Sequence, residues 1–142
     1  MLDARGIRLI EFSEVDVAKK ILIVDDEAHI RALLEQTLEE LEDEGVELLS
    51  ADNGEDALAL VAAEKPDLVF LDVMMPKMNG YDVCQAVRSD LDLRDVTIVL
   101  LTAKGQDVDR LHGLDVGADE YRTKPFDPDE LLELARDRIG LG

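Results

Sequence analysis

Short continuous runs of Ile, Val and Leu dominate the hydrophobic pattern of this chain, and each run closes on a polar residue. Residues 20–24 run into Asp25, Asp26 and Glu27; residues 68–71 into Asp72; residues 96–101 into Thr102. A weaker run, 120–123, meets Lys124 and Pro125. Continuous β-branched and aliphatic runs of this length are the signature of parallel strands covered on both faces. Between them the apolar period changes to that of a helix. Residues 28–44 place Ile30, Leu33, Leu34, Thr37, Leu38 and Leu41 on one stripe, and Gly45 is a stop signal. A second strand is predicted over 46–51. Asp52, Asn53 and Gly54 then turn into a helix that runs through Lys65 and is stopped by Pro66.

The third strand, 67–72, precedes a loop with Pro76 and Asn79-Gly80, and then a helix with Gly80, Val83, Cys84 and Val87 in register. After the fourth strand, a helix over about 106–118 carries Gly113 and Gly117. Each interior glycine costs roughly 1 kcal/mol relative to alanine, so this helix is expected to be the loosest. Asp127 and Pro128 open a final helix with Leu131, Leu132, Ala135 and Ile139 inward. Alternating strand and helix with right-handed crossovers implies an α/β fold with a parallel sheet and helices on both faces. Residues 19–142 read as one domain. Residues 1–18 read as an N-terminal extension, in which 7–12 is either a short strand or helix against the domain or part of a flexible tail.

Composition narrows the class. The chain has 142 residues, of which 46% are apolar, enough for a real core. The net charge of −19 argues against direct binding to nucleic acid or to anionic membrane surfaces, which reward basic patches. The first 20 residues are neutral, with Asp3, Glu11, Glu14 and Asp16 against Arg5, Arg8, Lys19 and Lys20, so the excess lies on the domain. A single cysteine, Cys84, excludes an internal disulfide and a cysteine-based zinc cluster; in register with Val83 and Val87 it reads as a packed core thiol. No stretch reaches membrane-spanning length and the N-terminus lacks a signal-peptide core, so a soluble cytoplasmic protein is the expectation.

The strand ends carry the candidate chemistry. Open α/β sheets bind ligands beyond the carboxyl ends of their strands. Set side by side, these ends offer three carboxylates, a hydroxyl and an ammonium. Asp25 and Asp26 could share a cation such as Mg²⁺, which asks for one or two carboxylates and keeps several waters. The bland reading is an acidic cap on the first helix. Asp72 ends a run buried on both faces, where an unpaired carboxylate is costly, and beside a cation it could act as a nucleophile on phosphorus. Thr102 could donate to a phosphoryl oxygen, with Ala103 leaving room for that group. Lys124 would neutralise its charge, and Phe126 can pack to hold the loop. His29 and His112 read as helix-surface residues. Met74 and Met75 read as exposed near the pocket.

From about residue 19 to 138 the chain resembles the receiver domain of two-component response regulators. The matching pieces are the Ile23 to Glu27 acidic pair, Pro66 through Asp72 to Pro76, Gly80, Leu101-Thr102-Ala103, and Gly117 through Tyr121 and Lys124 to Phe126. Several blocks in order make a specific signal. The resemblance implies a flavodoxin-like, doubly wound (βα)5 fold with strand order 2-1-3-4-5. It implies that Asp72 accepts a phosphoryl group, that Asp25, Asp26, Asp72 and the backbone carbonyl of Met74 hold Mg²⁺, and that Thr102, Ala103 and Lys124 contact the phosphoryl oxygens. Tyr121 matches the aromatic that swings inward as the threonine shifts, and the Lys124–Pro125 bond is expected to be cis. The positions of Met74 and Lys104 help tune dephosphorylation.

The donor implied is a sensor histidine kinase or histidine phosphotransfer protein. The target is a downstream effector protein or a missing output domain, with phosphorylation-dependent homodimerisation a further expectation. Such a module is a signalling phosphoacceptor that assists its own phosphorylation and dephosphorylation, and it is not a turnover enzyme. Its switching surface would be the fourth helix, fifth strand and fifth helix. A magnesium-dependent phosphatase also uses a strand-end aspartate, but commonly needs an acid two residues later, where this chain has Met74. A degenerate receiver used only for docking is the other alternative, and the intact acidic and basic positions argue against it.

Overall fold

The computed structural model describes residues 18–103, 112 and 115–141. In order these form β1 (Lys20–Val24), α1 (Ala28–Glu42), β2 (Glu47–Ala51), α2 (Gly54–Glu64), β3 (Leu68–Asp72) and α3 (Gly80–Gln85), which widens into a π turn over Ala86–Asp90. Then come β4 (Thr97–Ala103), β5 (Glu120–Lys124) and a C-terminal helix (Pro128–Ile139). The strands pair in parallel in the order β2-β1-β3-β4-β5, as the resemblance implies. The N-terminal extension other than Ala18, and most of the helix expected over 106–118, lie outside the described residues.

The sheet separates two apolar layers. Leu34, Leu38 and Leu41 of α1, with Leu131, Ala135 and Ile139 of the C-terminal helix, pack on Ile21, Ile23, Phe70, Val99 and Leu101. On the other face, Ala57 and Val61 of α2 and Val83, Cys84 and Val87 of α3 pack on Leu22, Val69, Leu71, Ile98 and Leu100. Successive strand residues point to opposite faces, so each strand feeds both layers; β3 is buried at all five positions. This is why the runs are continuously apolar.

Helix starts follow their capping residues. Asn53 accepts the Asp56 N–H at 2.8 Å, Asn79 and Asp82 form a reciprocal capping box, and Asp127 accepts from Asp129 and Glu130 ahead of Pro128 in the first turn. Three expectations change. Leu33 is 42% exposed, because the buried stripe of α1 is narrowed to Leu34, Leu38 and Leu41. β4 runs on through Thr102 to Ala103, since β5 pairs with it that far. Gly117 has φ +101° and follows the helical residue Asp115, so it terminates a helical turn instead of weakening its interior.

Candidate functional site

Register brings the strand ends to one rim. Val24 lies beside Leu71 and Asp72 beside Leu101, which places Asp25 next to Asp72 as β1 breaks. Lys124 pairs with Ala103, beyond the level of Asp72, and its long side chain reaches back across the rim. Its Nζ donates to Oδ2 of Asp25 at 2.7 Å and to Oδ1 of Asp72 at 3.1 Å. The Lys124–Pro125 peptide is cis, as expected. Phe126 packs against the α1 side of the core, as the sequence suggested.

Asp25 is fully buried, and each of its polar atoms has a partner. Its N–H donates to the Ala51 carbonyl, its Oδ1 accepts the Glu27 N–H at 2.9 Å, its Oδ2 takes Lys124, and its carbonyl takes Arg31 Nη1 at 2.7 Å. One oxygen of Asp25 therefore orders the chain at the start of α1 and the other faces Lys124. Asp26, by contrast, is exposed. Oxygens from Asp25, Asp26 and Asp72 all lie within 4.8 Å of one another, a group that could hold a metal ion.

Asp72 is buried, and its Oδ1 accepts from Lys124 and from the Met74 N–H at 3.4 Å. Among the described residues no donor reaches Oδ2. Burial, then the neighbouring Asp25 carboxylate, pushes the Asp72 carboxyl up to about 6; Lys124 and the Met74 N–H pull the other way without cancelling this. Burial pulls the Lys124 ammonium down, but Asp25 and Asp72 outweigh it and hold it above the ordinary lysine value. One ammonium against three clustered carboxylates leaves excess negative charge on hard oxygen donors, a set that fits a divalent cation.

Thr102 and Tyr121 are buried, but strand alternation sends them to the other side of the sheet. Asp72 has the parity of Phe70, and Lys124, level with Ala103, that of Leu101, facing α1 and the C-terminal helix. Thr102 has the parity of Leu100, which lies level with Tyr121 on the α2 and α3 side. Ala103 is exposed at the end of β4. Met74 is 59% exposed beside Asp72, whereas Met75 is buried, which corrects the expectation that both lie open. His29 is exposed, with its Nε2 3.5 Å from Glu27. His112 is exposed too, but its ring stands edge-on to Tyr81 at 4.6 Å. Cys84 is a core thiol whose Sγ donates to the Val116 carbonyl at 3.4 Å; burial pushes it up to about 11. Lys104 lies outside the described residues.

Sequence reasoning missed Arg31 and Arg88. The Arg88 guanidinium donates to the carbonyls of Gly117 and Leu93 and to Asp119, whose carboxylate also accepts the Ile98 N–H. No motif signals a donor whose acceptors are mostly backbone carbonyls. Among the described residues no helix is long and apolar enough to cross a membrane.

Comparison with known proteins agrees with this architecture. A family model described as the response regulator receiver domain matches residues 21–136. The protein ycf27 of Porphyra purpurea is 52% identical over 113 residues, covering 80% of this chain and 44% of that protein. The alkaline phosphatase synthesis transcriptional regulatory protein PhoP of Bacillus subtilis is 46% identical, covering 80% of this chain and 45% of that protein. The chain thus spans less than half the length of these curated relatives. The structure of the chemotaxis protein CheY4 of Vibrio cholerae superposes with a TM-score of 0.75 at 33% identity, covering 87% of this chain and 99% of that one. With the family match spanning most of the domain and the strand order agreeing, the chain belongs to the response regulator receiver domain family, the phosphoacceptor modules of two-component systems.

Proposed function

We propose that Asp72 is the residue that takes the phosphoryl group, from a phosphohistidine on a sensor histidine kinase or a histidine phosphotransfer protein. The observation that carries this reading is the state of its carboxylate. Oδ1 is held by Lys124 and the Met74 N–H, while Oδ2 is left without a donor among the described residues at the open end of the sheet. Oδ2 attacks phosphorus; a P–O bond forms as the P–N bond to the imidazole breaks, and the bonding pair stays on the ring nitrogen, which is protonated from solvent. Lys124 neutralises charge on the group in flight, and Thr102 and Ala103 contact its oxygens once it is in place.

Asp25, Asp26, Asp72 and the Met74 carbonyl would hold Mg²⁺, which supplies charge neutralisation at the phosphoryl oxygens. The chain's own residues thereby assist both gain and loss of the group. New acceptors on Asp72 draw Thr102 toward the rim, and the volume it leaves is taken by Tyr121 on the same face of the sheet. The surface that changes is the 106–118 segment, β5 and the C-terminal helix. Its reader is an output domain of a longer regulator or a separate effector protein, and a phosphorylation-dependent homodimer is a second way to use it. We place the receiver domain at residues 19–142 and count residues 1–18 as an N-terminal extension of the sequence, and the protein acts in the cytoplasm.

Incubation with Mg²⁺ and acetyl phosphate tests the chemistry. The wild type should gain one phosphoryl group and Asp72→Asn none; a wild type that takes up nothing at any Mg²⁺ concentration would leave only a docking role. Hydrogen exchange should then change most across residues 106–118, β5 and the C-terminal helix, and a largest change in α1 would contradict the proposed surface.

A further inference from the structure

We infer that Arg31 is a positioning residue for the cation site, and this rests on the Mg²⁺ reading of Asp25, Asp26 and Asp72. Arg31 lies in the first turns of α1, six positions after Asp25, and reaches back so that its Nη1 donates to the Asp25 carbonyl at 2.7 Å. That carbonyl belongs to the peptide joining Asp25 to Asp26. A peptide unit is planar, so anchoring its oxygen fixes the orientation of the whole plane and with it the direction in which the chain delivers Asp26.

The remaining contacts of Asp25 make this anchor consequential. Its N–H is tied to Ala51, its Oδ1 to the Glu27 N–H and its Oδ2 to Lys124. Asp25 is therefore held on every side, and the neighbouring carboxylate that is free to meet a cation from solvent is Asp26, which is exposed. The Asp25–Asp26 peptide is the hinge between the held carboxylate and the free one. Without the guanidinium, its buried carbonyl loses the donor it has, and rotation of the peptide toward water would carry Asp26 away from Asp25 and Asp72.

The position of Arg31 favours this use of the side chain over an ordinary surface ion pair. Its side chain borders a cleft of about 410 Å³ with Ser50, Asp52 and Asp56, two of which are acids. Among the described residues Arg31 forms no ion pair with either; it spends its contact on a neutral carbonyl. Asn53 engages both Asp52 and Asp56 through its side-chain amide. The arrangement leaves the guanidinium committed to the backbone beneath the acidic pair.

The test uses the full chain and two variants. Arg31→Met keeps the stem and removes the donor; Arg31→Lys restores one donor. Mg²⁺ titration is followed by the amide shifts of Asp26 and Asp72, without any phosphodonor. Removing a group that orients a ligand typically weakens metal binding by tenfold or more, so Arg31→Met should need roughly tenfold more Mg²⁺ for half-saturation, with Arg31→Lys between it and wild type. At saturating Mg²⁺ the rate of phosphoryl uptake should return to within about twofold of wild type, because the nucleophile and Lys124 are untouched. If Arg31→Met does not fold, Arg31→Gln, whose amide is too short to reach, replaces it under the same criterion. Unchanged Mg²⁺ affinity in a folded variant overturns the role of Arg31 while leaving the cation site standing. Failure of the wild type to bind Mg²⁺ overturns both.

Discussion

The Lys124 ammonium lies 3.1 Å from Oδ1 of Asp72, although 52 positions separate them in the chain. The contact exists because β4 stands between their strands and carries Lys124 level with Ala103, above the level of Asp72. A side chain with a four-carbon stem then bridges the step, and on the way it meets Asp25 at 2.7 Å. One cation thus holds two carboxylates at the mouth of the sheet and, among the described residues, leaves Oδ2 of Asp72 without a donor.

That arrangement makes Asp72 costly to the fold at neutral pH. Its carboxyl is raised from 3.8 to about 6, chiefly by burial, so between those values the folded chain holds a proton that the unfolded chain has released. Stability attributable to this group therefore falls as pH rises through that window, and the penalty is fully present above it. Asp72→Asn should stabilise the protein by about 1–3 kcal/mol at pH 8, with the gain fading as pH falls from 6 toward 4. Urea denaturation of both forms at several pH values measures it. A gain that grows on acidification would contradict the assignment.

A bound divalent cation should relieve the same penalty. At Mg²⁺ about tenfold above its dissociation constant the protein should gain about 1.4 kcal/mol, raising its melting temperature by about 3–6 °C. Asp26→Asn should lose most of that increment while melting near the wild type without metal, because Asp26 is exposed and its side chain has no hydrogen-bond partner among the described residues. Thermal melts with and without Mg²⁺ decide the matter.

Gly80 and Gly45 should respond differently to alanine. A Cβ at Gly80 would lie 2.5 Å from the Asp72 carbonyl oxygen, and the Gly80 N–H already donates to Val73 at 3.0 Å, so the loop after β3 would have to move. Gly80→Ala should cost about 2–4 kcal/mol and slow phosphoryl uptake roughly tenfold or more, since small displacements of reacting groups are expensive. Gly45 has open space but φ +92°, so Gly45→Ala should cost about 1 kcal/mol and leave uptake unchanged. Chemical denaturation paired with acetyl phosphate kinetics separates the two.

Arg88 ties the π turn after α3 to the residues that lead into β5. It is 13% exposed and serves the Gly117 and Leu93 carbonyls and Asp119 together. Arg88→Met should cost about 2–4 kcal/mol, because it strips donors from part-buried acceptors and leaves Asp119 without its counter-charge. Arg88→Lys should recover less than half of this, since an ammonium cannot match the planar fork. Equal stability of Arg88→Lys and wild type in urea would show that charge alone matters there.

Much of this protein was legible before any coordinates. The apolar runs at 20–24, 68–71 and 96–101 are continuous because their strands are buried on both faces, and the polar residue that closes each run stays buried at the rim, where Asp25 and Asp72 find Lys124 as a partner. The same logic picked out Asp25, Asp72, Thr102 and Lys124, and local capping chemistry at Asn53, Asn79 and Asp127 set helix starts within a residue or so. Local rules fared worse where a tertiary partner decides. Leu33 fits the predicted helical stripe along with Leu34, Leu38 and Leu41, but packing on the sheet buries only those last three of the four leucines and leaves Leu33 42% exposed. Gly117 reads as a weak point within a helix, yet its positive φ ends one, with the Arg88 side chain packed where a Cβ would stand.

The sequence by itself determined the order of the strands and which polar residues close them, because burial and backbone capping act over a few neighbouring positions. Only the tertiary structure decided how those residues divide. Inter-strand register and pleat parity put Asp25, Asp72 and Lys124 together and turn Thr102 and Tyr121 to the opposite face. Register is a long-range quantity, fixed by how whole strands align, and a shift of one residue would exchange the two faces. Arg31 on the Asp25 carbonyl belongs to the same class: a contact made by the fold with a backbone atom, which no side-chain pattern announces.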